Sequence, residues 1–201
     1  LAFFAGCGHY LIPGKFEPLE AAQQETVGES TRMDILDDGT VTFVQNRLEV
    51  SVRPMTDEEI NRQYPAQSSD ASGPTDELPS NPFTYGNWRD PGLGYTPTRF
   101  TVFEVEVFNP VLPKAELFPD QTILRTSQGE EVRYYSINRE QSDNSFEDYF
   151  TLIRGPGGNE QYRFDQRMSI VREELYRPDH QIFRGDDYRG YLVFQALNDE
   201  V

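Results

Sequence analysis

Residues 101–109 alternate between apolar and acidic side chains more regularly than any other part of the sequence. The apolar members are Phe103, Val105 and Val107, and the acidic members between them are Glu104 and Glu106. In an extended chain, alternate residues point to opposite faces, so this pattern gives one buried and one solvent-facing side. Such strands are typical of antiparallel sheets. The sequence therefore predicts a mainly β protein with a strand here, which Asn109 and Pro110 end.

Several other segments predict strands joined by short turns. They are a hairpin over 33–44 with its turn at Asp38 and Gly39, a strand from Leu48 to Val52 that Arg53 and Pro54 stop, strands over 122–126 and 131–137, a turn over 185–190, and an apolar strand over 191–197. The strand over 191–197 is apolar almost throughout, so we expect it in the middle of a sheet, with further strands to follow. Together these strands resemble an immunoglobulin-like β-sandwich, and that antiparallel fold class is our expectation.

Two short helices are predicted before the last strand, and a shorter one earlier in the chain. Thr56 and Glu59 have the spacing of a capping box, which predicts one or two helical turns there. Helical spacing recurs in two stripes, which we expect to face the core. The first contains Phe146, Tyr149, Phe150 and Ile153, with Asn144 or Ser145 at its start and Gly155 and Pro156 at its end; the second contains Phe164, Met168, Val171 and Leu175, within 160–175.

The first residues of the chain suggest attachment to a membrane. Residues 1–12 are apolar and uncharged, and they are too few for a membrane-spanning helix, which takes about 20 residues. We interpret them as the end of a longer signal or anchor segment, followed by an extended tether over 13–31 and a single domain over 32–201.

Phe4, Ala5, Gly6 and Cys7 resemble the lipobox of bacterial lipoproteins, in which small residues precede a cysteine at the end of the signal peptide. The resemblance implies that Cys7 carries a diacylglycerol group, whose two acyl chains suffice for stable anchoring. It also implies a place on the periplasmic or other extracytoplasmic face of a bacterial membrane. Two interpretations remain open beside it: a buried free cysteine, and an apolar anchor that is not cleaved.

Two consecutive segments suggest contact with other proteins. Residues 64–81 are rich in Pro, Ser and Asp, and such a composition does not offset the entropy of ordering unless another surface holds the segment. That surface belongs either to a neighbouring protein or to the chain's own domain. Residues 81–95 combine Gly and Pro with aromatic side chains. If exposed, Tyr85, Trp88, Arg89 and Tyr95 are candidate partner-binding residues; if buried, the same loop covers the core.

Composition and motifs argue against several functions. The net charge of −16 repels nucleic acids and anionic lipids and would attract a basic protein partner. Cys7 is the only cysteine, and His9 and His180 are the only histidines, so we expect no metal site and no cofactor. Three pairs of adjacent carboxylates, at 147–148, 173–174 and 186–187, are interpreted as solvated surface. Residues 155–158 lack the Lys and Ser or Thr of a phosphate loop.

The resulting hypothesis is a non-catalytic accessory or scaffolding subunit of a membrane protein complex, such as a photosynthetic or respiratory electron-transfer complex. Its partners are then the other subunits of that complex. The alternative is a ligand-binding envelope lipoprotein with an aromatic pocket between the sandwich and the helices. A hydrolase is a third class, although no nucleophile, base and acid with the spacing of a known motif occurs together.

Overall fold

The computed structural model describes residues 31–69, 79–126, 128–153 and 158–197. Nine strands occur in them: β1 Thr31–Ile35, β2 Val41–Gln45, β3 Leu48–Met55, β4 Phe100–Phe108, β5 Lys114–Ala115, β6 Ile123–Arg125, β7 Glu131–Arg133, β8 Ile182–Phe183 and β9 Asp187–Gln195. A five-stranded sheet has the order β1-β2-β3-β4-β9, and β5 with β8 and β6 with β7 form two two-stranded ribbons. All these pairs are antiparallel, which confirms the mainly β antiparallel class.

The described residues also contain four helices, of which the last is the longest at 17 residues. They are α1 Asp57–Gln63, α2 Pro65–Ser69, α3 Phe146–Ile153 and α4 Gly158–Glu174, with one turn of 3₁₀ helix at Pro119–Gln121. The capping box is confirmed, because Thr56 accepts the Glu59 N–H and the Glu59 side chain accepts the Thr56 N–H. Of the two residues predicted to cap the start of α3, Ser145 is confirmed, since its Oγ accepts the Asp148 N–H at 3.1 Å. The predicted end of this helix, at Gly155 and Pro156, lies outside the described residues.

The predicted hairpin is confirmed, with β1 and β2 joined through a turn at Asp38 and Gly39. The predicted stop at Arg53 and Pro54 is wrong, because β3 continues to Met55 and Pro54 pairs with Phe103. The last β3 residue paired with β2 is Val52, so Pro54 lies where β3 has only β4 as a neighbour. A proline is tolerated there because that edge of β3 has no neighbouring strand with which the missing N–H would have to form a hydrogen bond.

One face of the sheet packs against the helices. Its core contains Met55, Ile60, Phe83, Phe100, Val102, Phe146, Phe150, Met168, Val171, Leu175, Tyr191 and Val193. Phe146 and Phe150 of the first predicted stripe belong to this core, as do Met168, Val171 and Leu175 of the second, and Phe164 and Tyr149 pack at its margin. The prediction that the stripes face inward is confirmed for these residues, but it is wrong for Ile153, which is 39% exposed at the end of α3. Aromatic rings fill the space between sheet and helices, as where Phe146 lies 5.1 Å from Phe100 and 5.8 Å from Phe150 between centroids.

The ribbons and the loops beside them cover part of the other face. Its core contains Phe103, Val105, Val107, Tyr134, Tyr176, Ile182, Leu192 and Phe194. The apolar face predicted for 103, 105 and 107 is therefore confirmed. Glu106 of the same strand is exposed, as predicted, whereas Glu104 is partly buried and forms an ion pair with Arg53 at 3.4 Å.

The last strand does not lie in the middle of the sheet. In the described residues β9 is the outermost strand, and its free edge is partly covered by backbone hydrogen bonds from Tyr135 to Val193 and from Tyr176 to Tyr191. Its apolar run instead reflects burial on both faces, by the helices on one side and the ribbons on the other. The turn predicted over 185–190 is also too long, since β9 already begins at Asp187.

The predicted anchor and tether, residues 1–30, lie outside the described residues. Within the parts that are described, the structure contains no helix with the length and apolar character needed to span a membrane.

Candidate partner-binding surface

The loop that contains the predicted partner-binding residues is held at its start by a buried polar network. The Asn81 side chain is fully buried, and its Oδ1 accepts the N–H of Phe83 at 2.9 Å. Its Nδ2 donates to the Ser68 hydroxyl at 2.9 Å. The Thr84 hydroxyl donates in turn to the side-chain Oδ1 of Asn61 at 2.5 Å. Since buried polar groups are costly unless they are hydrogen-bonded, this network fixes the loop against α1 and α2.

Close backbone contact fastens the next residues of the loop to α2. The N–H of Asn87 donates to the Ser68 carbonyl oxygen at 2.9 Å. Gly86 has a φ of +54°, and a Cβ built on it would lie 2.2 Å from that same oxygen. Glycine is therefore required at this position both for the backbone angle and for the space.

Arg99 fastens the end of the loop. Its side chain is 4% exposed, and its Nη1 donates to the carbonyl oxygen of Asn81 at 3.1 Å. The guanidinium carbon lies 4.9 Å from the ring centroids of both Tyr85 and Phe150. Within the described parts of the chain, its Nε and Nη2 atoms have no hydrogen-bond partner. Contact with aromatic faces therefore compensates part of the cost of burying this charge.

Between these attachment points the loop exposes aromatic, aliphatic and basic side chains. Tyr85 and Trp88 are partly exposed, and their rings lie 5.4 Å apart between centroids. Arg89 is exposed, and Leu93 and Tyr95 have 53% and 38% of their surface exposed. We call these five residues the aromatic tip.

Hydrogen bonds within the tip define its shape. The Thr96 hydroxyl donates to the carbonyl oxygen of Trp88 at 2.7 Å. The N–H of Asp90 donates to the carbonyl oxygen of Tyr95 at 3.0 Å. These bonds bring the two ends of the tip together. The sequence left open whether this loop is buried or exposed, and each alternative holds for one part of it. Phe83 is fully buried in the core, whereas the tip is accessible.

An open cleft of about 600 Å³ lies beside the tip. It is lined by Asp57, Glu58, Asn61, Arg62, Pro65, Ser68, Ser69, Gly86, Asn87 and Thr96. Burial raises the pKa of the Asp57 carboxyl to about 6. The sequence indicated α1 through its capping box, but it gave no signal that α1 faces 86–96, because the two segments meet only through the fold.

The other candidate residues are not part of this surface. Cys7 and His9 lie outside the described residues. The His180 ring stacks on Tyr188 with centroids 3.6 Å apart, which accounts for it as a packing residue. Among the described side chains, no group of three or more His, Cys, Asp or Glu residues could hold a metal ion.

Comparison with protein-family models, with curated proteins and with solved structures gave no match for this chain.

Proposed function

We propose that this chain is a non-catalytic scaffolding domain that binds a protein partner through the aromatic tip. The observation that carries the proposal is a loop fixed at both ends by buried groups that still exposes Trp88, Arg89 and Tyr95. Trp, Tyr and Arg contribute most of the binding free energy in many protein interfaces. A surface that is already ordered also loses less conformational entropy when it binds.

The charge of the molecule favours a basic partner. The net charge of −16 produces a field that speeds association with a positively charged surface and slows association with an acidic one. The cleft beside the tip adds concave surface that a partner could fill, and it is lined by residues with hydrogen-bonding groups such as Asn61 and Asn87.

The place of action in this proposal is the extracytoplasmic face of a bacterial membrane. The support for it is the lipobox-like sequence that ends at Cys7. On this basis the chain is an accessory subunit of a membrane protein complex, with an electron-transfer complex as one case. Mass spectrometry of the native N-terminus tests this part separately: a mature chain that begins at an acylated Cys7 supports it, and an unmodified Cys7 in a soluble product contradicts it.

The immunoglobulin-like sandwich also stays a prediction. The two ribbons that pack over one face of the main sheet support it, because they supply β structure in a second layer.

Site-specific photocrosslinking tests the proposed interface directly. A photoreactive phenylalanine analogue replaces Tyr95 in the full chain, expressed in its native membrane. The same analogue at Tyr162, which is 66% exposed on α4, is the control. We expect a discrete crosslinked protein from position 95 and none from 162. Identical products at both positions, or none at 95, would contradict the proposal.

Substitutions provide the quantitative form of the test. Trp88→Ala and Tyr95→Ala are each expected to weaken binding of the crosslinked partner by about tenfold or more, as for truncated interface aromatics. Leu152→Ala, at an exposed residue of α3, is the control and is expected to leave binding unchanged. Circular dichroism of each variant separates loss of binding from loss of folding.

A further inference from the structure

The face of the sheet that carries the ribbons is only partly covered. Successive cross-strand partners form one apolar row across it: Met33, Phe43, Val50, Val107 and Tyr188. The opposite face of β2 and β3 is mostly polar: apart from Val44 it carries residues such as Thr42 and Ser51, whose hydroxyls are hydrogen-bonded at 2.9 Å. Over β4 the row is buried at Val107, and over β9 Tyr188 is partly buried, both in the cluster that contains Tyr134 and Ile182. Over β2 it is open, and Phe43 has 36% of its surface exposed.

The open part of this face is concave. A groove of about 490 Å³ is lined by Val41, Phe43, Gln45, Leu48, Val50, Val52 and Leu117. Leu117 reaches it from the segment after β5, so the groove has a side wall and is more than a flat sheet surface. We call it the β2–β3 groove.

We propose that the β2–β3 groove binds an uncharged hydrocarbon chain, of the class of a fatty alcohol or an acyl ester. Its volume falls within the range of roughly 300–1,000 Å³ that small-molecule sites occupy. Because Leu117 forms a side wall, the groove has the concave shape of a small-molecule site. The shape therefore favours a small ligand over a second protein.

The absence of ionisable side chains in the groove, together with the negative charge of the molecule, favours an uncharged ligand. None of the seven residues that line the groove is ionisable, and Gln45 is the one with a polar side chain. No lining group can therefore neutralise a carboxylate or phosphate, and the net charge of −16 adds repulsion. The Gln45 amide can donate to a hydroxyl or ester oxygen. Apolar contact with the other lining residues supplies the binding free energy.

Binding of a fluorescent polyene fatty alcohol to the purified chain tests this inference. We expect saturable binding at one site, displacement by dodecanol, and displacement by dodecanoate that is about tenfold weaker. Absence of saturable binding would refute the groove as a ligand site. Equal or better displacement by dodecanoate would refute the proposed preference for an uncharged chain.

Two variants locate the site on the chain. Phe43→Gln and Leu117→Gln are expected to weaken binding about tenfold each, through loss of apolar contact. Val44→Gln, on the opposite face of the same strand, is the matched control. Its affinity for the ligand is expected to stay within about twofold of that of the unsubstituted protein. Equal binding by all three variants would place the ligand elsewhere and overturn the assignment.

Methyl NMR of the unsubstituted protein gives a result that does not depend on whether a variant folds. Titration with dodecanol should shift the methyl resonances of Val41, Leu48, Val50, Val52 and Leu117 together. Shifts confined to other methyl groups would overturn the assignment. The aromatic tip is formed by different residues, so Trp88→Ala should leave ligand binding unchanged.

Discussion

At the scale of single residues, Gly86 determines whether the loop can lie against α2. A Cβ there would lie 2.2 Å from the Ser68 carbonyl oxygen, and the φ of +54° is strained for any residue with a side chain. We expect Gly86→Ala to lower the free energy of unfolding by about 3 kcal/mol or more, from strain and overlap together. Urea denaturation measures the loss.

Gly94→Ala is the control for this substitution. Gly94 also has a positive φ, of +74°, but a Cβ added there meets no atom within 4 Å. This variant should lose only about 1–2 kcal/mol, the cost of the backbone conformation alone. If the two variants lose the same free energy, the contact between Gly86 and Ser68 does not hold the loop.

Asp57 is a second residue with a measurable consequence. Burial raises the pKa of its carboxyl from 3.8 to about 6, so the folded state binds more protons than the unfolded state between these pH values. The free energy of unfolding contributed by this group therefore falls as the pH rises from about 4 to about 6. Asp57→Asn removes that penalty, and we expect it to stabilise the protein by about 1–2 kcal/mol at pH 8.

The same variant should gain nothing at pH 4, where Asp57 is largely protonated in the folded state. Thermal unfolding at the two pH values measures the difference. Glu58→Gln is the matched control, because it removes a neighbouring exposed carboxylate from the same first turn of α1. A gain for Glu58→Gln equal to that of Asp57→Asn would attribute the effect to overall charge.

At the scale of elements, α1 shows how far a local pattern determines a structure. Thr56 caps the helix by accepting the Glu59 N–H at 3.2 Å. Thr56→Ala removes this acceptor and should lower the free energy of unfolding by about 1 kcal/mol. Thr56→Ser keeps a hydroxyl, so its free energy of unfolding should stay within a few tenths of a kcal/mol of that of the unsubstituted protein. Similar losses in both variants, measured by urea denaturation, would show that the cap contributes little.

The elements that the sequence predicted are those whose signals lie close together in the chain. The hairpin turn at Asp38 and Gly39, the cap at Thr56 and the alternation in β4 each depend on a few adjacent residues. The predicted end of β3 was wrong because a proline is tolerated in a strand only where one edge has no partner, and the sequence does not show which strands flank Pro54. The predicted position of β9 was wrong because its apolar residues are buried by helices on one face and ribbons on the other, which does not require a neighbouring strand on both edges.

The candidate surface was predictable to a similar extent. The density of aromatic residues pointed to Tyr85, Trp88 and Tyr95, and the structure places the rings of Tyr85 and Trp88 together. Asn81 and Arg99, which fix the loop, had no motif to identify them. Their roles depend on partners such as Ser68 and Phe150, which only the tertiary structure brings near.

At the scale of the whole molecule, the excess of acidic residues affects stability as well as association. There are 34 Asp and Glu residues against 18 Lys and Arg residues, so the folded chain repels itself more than the expanded unfolded chain does. Salt shortens the screening distance from about 30 Å at 0.01 M to about 10 Å at 0.1 M. Sodium chloride should therefore raise the melting temperature over this range, although it also weakens exposed ion pairs such as Arg125 with Glu131.

Differential scanning calorimetry at pH 8 and at pH 5 separates this effect from nonspecific salt stabilisation. The calculated pI is about 4.4, so the net negative charge and its self-repulsion are smaller at pH 5. We expect salt to raise the melting temperature by several degrees at pH 8 and by clearly less at pH 5. An equal rise at both pH values would mean that repulsion does not limit stability. The same field would then be a weak reason to expect a basic partner at the aromatic tip.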